Sequence, residues 1–241
     1  MKPRQPGIPA SVAEKKPTAG LIDLGLSDYR ATYDLQVALV EKIREEGRED
    51  LFLVTEHPSV FTLGKRGGRE NLTVSEQFLQ ERSISLVHIE RGGDITYHGE
   101  GQLVLYPVIN LRRSGLSVTD YVYLLEEVMI RLTGLYGVVA VRDERNHGIW
   151  VENSKLGSVG IAIRHGISFH GLSLNANLSL APFSWVNPCG LKGVKMTSLS
   201  RLSGQEVTVA MLKADLKTVL TDLFQRDFTV YRKDNIHVAM C

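Results

Sequence analysis

The chain has 241 residues, enough for one sizeable core, since domains reach ~250 residues before splitting. Hydrophobic residues make up 43% and aromatics 7%, and 28 basic residues against 27 acidic ones leave a net charge of +1. That balance lacks the basic excess of a general nucleic-acid or membrane-surface binder.

No apolar run approaches the ~20 residues that cross a bilayer. The two cysteines, Cys189 and Cys241, are too few for a disulfide framework, so a cytoplasmic location is expected. Residues 1–20, MKPRQPGIPASVAEKKPTAG, hold four prolines and almost nothing large and apolar. They lack the apolar region of a secretory signal and are expected to form a disordered tail ahead of one domain over 21–241.

Leu35, Leu39 and Ile43 recur on one face over 29–46, which predicts the first helix. Strands are predicted over 51–55, 60–63 and 84–89, with His57-Pro58 interrupting the chain after the first. A loop opened by Gly64, Gly67 and Gly68 carries Lys65, Arg66 and Arg69. The stretch 91–111, RGGDITYHGEGQLVLYPVINL, is the centre of the chain. Its glycine-dense loop, with Arg91, Asp94, Tyr97 and His98, feeds a run in which Leu103, Leu105, Ile109 and Leu111 alternate with Val104, Tyr106 and Val108. A polar loop leading into a strand apolar on both faces sets a site against a core.

Ser117 or Thr119 caps a helix running to about 135, on the repeat of Tyr121, Leu125, Val128 and Leu132. A strand over 138–141 follows, then strands over 148–152 and 156–164 around a hairpin turn at Asn153-Ser154. Residues 169–178 alternate as a strand, 182–194 form a loop, 209–224 a helix and 228–232 a last strand. The order predicts one α/β domain with a mixed, largely antiparallel sheet flanked by helices.

Cys189 sits in NPCGLKG, with no apolar neighbour before Leu191 and with Lys192 and Lys195 nearby. Nearby cations raise the thiolate fraction of a thiol whose ordinary pKa is ~8.5. A nucleophile and a structural thiol both fit that setting. Cys241, the last residue, has no such surroundings. Lys155 opens KLGSVGIAI, and by position alone it reads as a solvated hairpin lysine. In that strand Ser158, Gly160 and Ala162 share one face and Val159, Ile161 and Ile163 the other. A face that small leaves room for an acyl chain or a close backbone.

Period two places His170 beside Leu172, Leu174 and Ala176, opposite Gly171, Ser173, Asn175 and Asn177, which reads as a core histidine. His165, five residues earlier, falls on the other face. There is no HExxH or CxxC, so no metal site is expected. The loop over 91–101 has backbone N–H groups suited to an anion, yet it matches neither Walker A nor GxGxxG. The residues alone describe a one-domain enzyme with a candidate cysteine nucleophile.

Taken together, RGGDITYHGEGQLVLYP, KLGSVGIAI, SFHGLSLN and NPCG, in this order, resemble the lipoyl(octanoyl) transferases, the octanoyl-acyl-carrier-protein:protein N-octanoyltransferases of lipoate biosynthesis. The resemblance covers roughly residues 21–231, including TEHPSVFTLG at 55–64. It implies the α/β domain shared with lipoate and biotin protein ligases. It also implies a reaction in which octanoyl passes from the thiol of acyl carrier protein to an active-site cysteine, and then to a lysine ε-amine on a lipoyl domain. By motif, the nucleophile is Cys189 and the lysine that lowers its pKa is Lys155. The substrate walls are Arg91, Gly92, Gly93, Asp94, Ile95, Thr96, Tyr97 and His98; Ser158, Val159 and Gly160; and His170, Gly171, Leu172 and Ser173.

Thioester exchange is nearly balanced in free energy and amide formation is downhill, so no ATP and no cofactor are expected. The implied partners are octanoyl-acyl carrier protein as donor, and lipoyl domains of 2-oxoacid dehydrogenase complexes and the glycine cleavage H protein as acceptors. A monomer is expected, with no nucleic-acid or membrane partner. The family usually reads HGPGQ, whereas here Glu100 stands in place of that proline, which is expected to alter loop geometry or partner docking more than chemistry. Two rival readings remain. One is an ATP-dependent lipoate- or biotin-type ligase on the same fold, for which Cys189 is dispensable. The other is a non-catalytic module docking acyl carrier protein or lipoyl domains, with Lys65, Arg66, Arg69, Arg112 and Arg113 either its rim or a solvated surface.

Overall fold

The computed structural model describes residues 16–187 and 194–233. In chain order its elements are β1 (Thr18–Leu26), α1 (Tyr29–Glu46), β2 (Asp50–Glu56), β3 (Val60–Leu63), α2 (Glu76–Gln80), β4 (Ser85–His88), β5 (Ile95–His98), β6 (Gln102–Asn110), α3 (Val118–Gly134), β7 (Val141–Arg142), β8 (Gly148–Val151), β9 (Ser154–Arg164), β10 (Ile167–Asn175), β11 (Lys195–Met196), α4 (Leu199–Ser203), α5 (Val209–Phe224) and β12 (Asp227–Arg232). The long helices α1, α3 and α5 start at side-chain caps. Asp28 accepts from Ala31 N, Ser117 from Asp120 N and Thr208 from Met211 N, each satisfying an N–H that the first turn leaves open. The left-handed Gly47 ends α1.

Among the described residues the main sheet has nine strands in the order β12-β1-β2-β6-β10-β9-β8-β7, with β11 paired to β9. The pairs β12/β1, β1/β2 and β11/β9 are parallel. Those from β2 to β6, β10, β9, β8 and β7 are antiparallel. The architecture is therefore a mixed, mostly antiparallel α/β domain. A second sheet, β4-β3-β5, stands beside it.

β6 is buried from Gln102 to Ile109, and its alternation serves both faces. Leu103, Leu105 and Ile109 enter a core with Tyr121, Leu125 and Val128 of α3 and Leu212, Leu216 and Leu220 of α5. Val104, Tyr106 and Val108 enter a smaller one with Leu39, Val40 and Ile43 of α1. Phe52 meets Phe224 and Phe228 edge-on at 5.0 and 4.8 Å, tying the end of α5 and β12 to β2. Side chains of this size contribute ~1.5–3 kcal/mol each when fully buried.

Three local expectations are corrected. β1 begins at Thr18, inside the stretch expected as a tail, because Ala19 and its neighbours pair with β2 on one side and β12 on the other. Buried on both faces, β1 lacks the alternation that flags a strand. Residues 1–15 lie outside the described residues. The β8–β9 turn falls at Glu152-Asn153, with Glu152 left-handed (φ 52), so that Ser154 already belongs to β9. Finally, Val138 packs into the core, and the strand expected over 138–141 is reduced to the edge pair Val141–Arg142.

Candidate active site

The loop before β5 is held between the two sheets. Gly64 N, Lys65 N and Arg66 N donate to the carbonyls of Asp94, Arg91 and Gly93, while Gly92 N donates across to Ile161 O on β9. Asp94 accepts from Ile95 N through one carboxylate oxygen and from Asn71 Nδ2 through the other. The Gly92 and Ile95 N–H groups are thus committed to protein, which argues against the anion-binding loop considered from composition. The Arg91 guanidinium is drawn back into the small sheet, donating to Thr62 O at 2.7 Å and Thr62 Oγ1 at 2.9 Å.

Opposite this loop lie the facing strands β9 and β10, with Gly160 paired to Gly171 and Ser158 to Ser173. A Cβ on Gly171 would sit 2.2 Å from Leu105 O, so only glycine lets β10 approach β6 there. Between the loop and these strands is a cleft lined by Arg91, Gly92, Gly93, Asp94, Ile95, Thr96 and His98, by Ser158, Val159 and Gly160, and by His170, Gly171, Leu172 and Ser173.

Of the expected wall residues, Tyr97 is the exception. It alternates away from His98 on β5, packs on Phe61 and Phe183 in the small-sheet core, and its hydroxyl meets Ser59 Oγ at 2.8 Å. His170 also departs from its expected face. Its φ of 56 inverts one residue of β10, so the ring leaves Leu172 and Leu174 and stacks on Tyr33 of α1 and on Phe169. Its backbone N–H donates to Gln36 Oε1 at 2.7 Å. Both ring nitrogens are buried without a hydrogen-bond partner among the described residues.

Three further residues line the cleft beyond the expected walls: Tyr29, Tyr106 and Asn146. Tyr106 lies in the motif stretch that begins at Arg91 but reads there only as part of the strand alternation, and Tyr29 and Asn146 lie outside the motifs. Behind Tyr106 stands His57, which lies in the TEHPSVFTLG stretch and to which the sequence assigns no site role. Its Nδ1 lies 2.7 Å from Ser27 O and its Nε2 2.9 Å from the Tyr106 hydroxyl. A carbonyl only accepts, so Nδ1 carries the proton and Tyr106 donates to Nε2.

His98 is fixed in the same way. Gln102 Nε2 donates to Tyr97 O and Asn175 Oδ1, which turns Gln102 Oε1 toward His98 Nδ1 at 2.7 Å. Asn175 Nδ2 in turn donates to Thr197 O. His98 therefore donates from Nδ1 and keeps Nε2 as an acceptor. Burial pushes His57 down to about 4 and both His98 and His170 down to about 3. These histidines are neutral at physiological pH, His98 and His170 in the cleft wall and His57 behind it, and burial likewise raises the Tyr29 and Tyr106 phenols.

Lys155, at the start of β9, is not the solvated hairpin lysine its position suggests, being 1% exposed. Its Nζ donates to Asn146 Oδ1 at 2.7 Å and His147 O at 3.1 Å, and lies 5.3 Å from the Trp150 ring centroid. Asn146 joins it to the cleft wall. Cys189, with Pro188 and Gly190, lies outside the described residues, as does Cys241. The described residues on either side are Asn187, whose N–H donates to Asn71 O, and Val194, which leads into β11, where Met196 pairs with Lys155. Glu100 is exposed, while the adjacent Gly101 (φ 85) donates to Glu56 Oε2 and accepts from Ala176, Asn177 and Leu178. The turn is thus anchored through Gly101, without need of a proline.

Residues 28–221 match the lipoyl protein ligase A/B catalytic domain model. The chain is 52% identical over 220 residues to an octanoyltransferase of Desulfotalea psychrophila, covering 90% of this chain and 97% of that protein. It is 43% identical over 210 residues to the octanoyltransferase of Syntrophobacter fumaroxidans, covering 87% and 92%. In fold it is similar to Ta0514, a lipoate protein ligase from T. acidophilum solved with bound lipoic acid (TM-score 0.71, 17% identity, 92% of this chain and 93% of that one). It is also similar to a lipoate-protein ligase A bound with ATP (TM-score 0.70, 15% identity, 93% of each chain).

Proposed function

This chain belongs to the lipoyl protein ligase A/B catalytic-domain family and is an acyltransferase that moves octanoyl groups in lipoate biosynthesis, and we propose that it does so through a thioester on Cys189 assisted by Lys155. The observation that carries this reading is the anchoring of the chain on either side of Cys189. Asn187 is bound to Asn71, which holds Asp94 of the cleft wall, and β11 pairs with Lys155 itself. A buried ammonium beside a cleft is costly to keep and is a candidate for chemistry.

In the first step the Cys189 thiolate attacks the thioester carbonyl of octanoyl-acyl carrier protein. A carbon–sulfur bond to Cys189 forms, the bond to the carrier thiol breaks, and the departing thiolate takes up a proton. In the second step a lysine ε-amine of a lipoyl domain attacks the acyl-cysteine, an amide forms, and the bond to Cys189 breaks to release its thiolate. The Lys155 ammonium stabilises the Cys189 thiolate before acylation, gives its proton to the departing carrier thiolate, and as the free amine takes a proton from the attacking ε-amine, which restores the thiolate and ammonium. The cleft, whose Arg91 and Asp94 side chains are held by hydrogen bonds to protein and whose apolar lining includes Ile95, Val159 and Leu172, takes the octanoyl chain. Each buried methylene contributes ~0.8 kcal/mol, so chains two carbons apart should differ by roughly tenfold.

The test is intact-protein mass spectrometry after incubation with octanoyl-acyl carrier protein and no ATP, on the wild type and Cys189→Ala. One octanoyl adduct on the wild type alone, discharged by a lipoyl domain, is expected. No adduct on either protein, with transfer only when ATP and free octanoate are supplied, would replace the thioester route by that of a ligase.

A further inference from the structure

We propose that Asn146 is a positioning residue for the Lys155 ammonium, holding it in its working place beside the cleft. The inference rests on the reading of Lys155 and Cys189 given above. A long amine side chain has several rotamers, and a buried ammonium needs acceptors to offset its lost hydration. Among the described residues, Asn146 Oδ1 at 2.7 Å and His147 O at 3.1 Å are close acceptors. The first is a short charge-assisted bond from a cation to an amide oxygen. An amide oxygen stays an uncharged acceptor at every working pH, so it steadies the ammonium without neutralising it.

The segment that carries Asn146 is itself built to stay put. Gly148 N donates to Glu126 Oε1 on α3 at 2.9 Å, and Arg142 clamps the other oxygen of the same buried carboxylate at 3.1 Å. His147 O also accepts from Val159 N at 3.4 Å, which joins the segment to β9. Asn146 lines the cleft that holds the wall residues, and also the neighbouring cleft bounded by Arg66, Asp143, Arg145 and His147.

Among the described residues, the titratable and charged groups around this segment are Asp143, Arg145 and the His147 ring on this loop and Glu126 on α3. β8 contributes the Trp150 ring and β11 pairs Met196 at this register. Asp143 is held down to about 2, chiefly by its hydrogen bonds with Arg145, with a smaller effect from Lys155. It is therefore an unchanging anion over the range tested.

The experiment follows the rate of Cys189 alkylation by iodoacetamide against pH, in a Cys241→Ser background, alongside steady-state transfer from octanoyl-acyl carrier protein. Asn146→Ala should raise the midpoint of the alkylation profile by about half to one pH unit and lower kcat about tenfold, with KM little changed. Asn146→Asp, nearly the same shape, keeps the acceptor but adds a negative charge, and should also raise the midpoint. Lys155→Met should raise it at least as far, and Asn146→Ala added to Lys155→Met should move it no further.

A midpoint moved by Lys155→Met but not by Asn146→Ala would overturn the inference and leave the mechanism standing, whatever the added charge of Asn146→Asp does. So would an Asn146→Ala shift of the same size with and without Lys155, since Asn146 would then not act through that amine. A midpoint indifferent to Lys155→Met would instead refute the mechanism, and the inference with it.

Discussion

Gly160 on β9 offers a direct way to ask whether the cleft measures the acyl chain. A Cβ at this position would sit 3.2 Å from Arg91 Cδ and 3.3 Å from Gly92 O, close enough to be accepted with a small shift. In Gly160→Val the two further carbons have the cleft to occupy, because Gly160 is part of its wall. Three added carbons displace about three methylenes of substrate. At ~0.8 kcal/mol each this removes about 2.4 kcal/mol, or roughly 60-fold in kcat/KM for an octanoyl donor. A butyryl donor, four carbons shorter, should lose little. The assay compares kcat/KM for octanoyl-, hexanoyl- and butyryl-acyl carrier protein with one lipoyl domain, and preference should move toward the shorter chains. Valine suits a strand, so the thermal midpoint should change little. If octanoyl and butyryl donors lose activity equally, the chain does not lie against Gly160 and the placement is wrong.

Gln102→Leu should destabilise the fold by about 2–5 kcal/mol in urea titrations, because it strands His98 Nδ1–H and Asn175 Oδ1, which are buried at 7% and 2% exposure. A loss below about 1 kcal/mol would mean that the network carries no weight. Gly171→Ala drives a Cβ into Leu105 O and should cost about 3 kcal/mol, lowering the thermal midpoint by about 6–12 °C. An unchanged midpoint would refute the close approach of β6 and β10.

Acid should unfold the protein cooperatively. His57, His98 and His170 have pKa values held below the ordinary 6.5 by burial, so the unfolded chain binds more protons than the folded one. Their contribution is fully present above about pH 6.5 and is lost as pH falls toward 4 and 3. The slope is about 1.4 kcal/mol per pH unit for each histidine. Stability that is flat between pH 7 and 5 would count against three buried neutral imidazoles.

Several features of the fold were legible along the chain because their causes are local. The alternation from Leu103 to Ile109 marks a strand buried on both faces, and β6 lies at the middle of the main sheet. Ser117 caps α3 as a residue able to accept from its own first turn. The motifs around Arg91, Ser158 and Gly171 point to one cleft, and the described structure brings those segments together.

What escaped the sequence depends on neighbours far along the chain. Tyr97 and His98 are adjacent in β5, and only the packing of the small sheet to which β5 belongs decides that one ring enters its core while the other turns to the cleft. His170 is assigned to the wrong face by period two, because one left-handed residue in β10 inverts the rule. Lys155 looks solvated in a list of hairpin residues and becomes buried once β8, β11 and the Asn146 segment close around it. Tyr29 of α1, His57 of the β2–β3 loop and Tyr106 of β6 meet only in the folded protein. The sequence by itself determined the periodic elements, the caps and the family motifs, since these depend on residues within a turn or a strand of one another. Tertiary structure decided which polar groups lose water and which neighbour each then finds, because burial and hydrogen-bond partners are properties of packed surfaces.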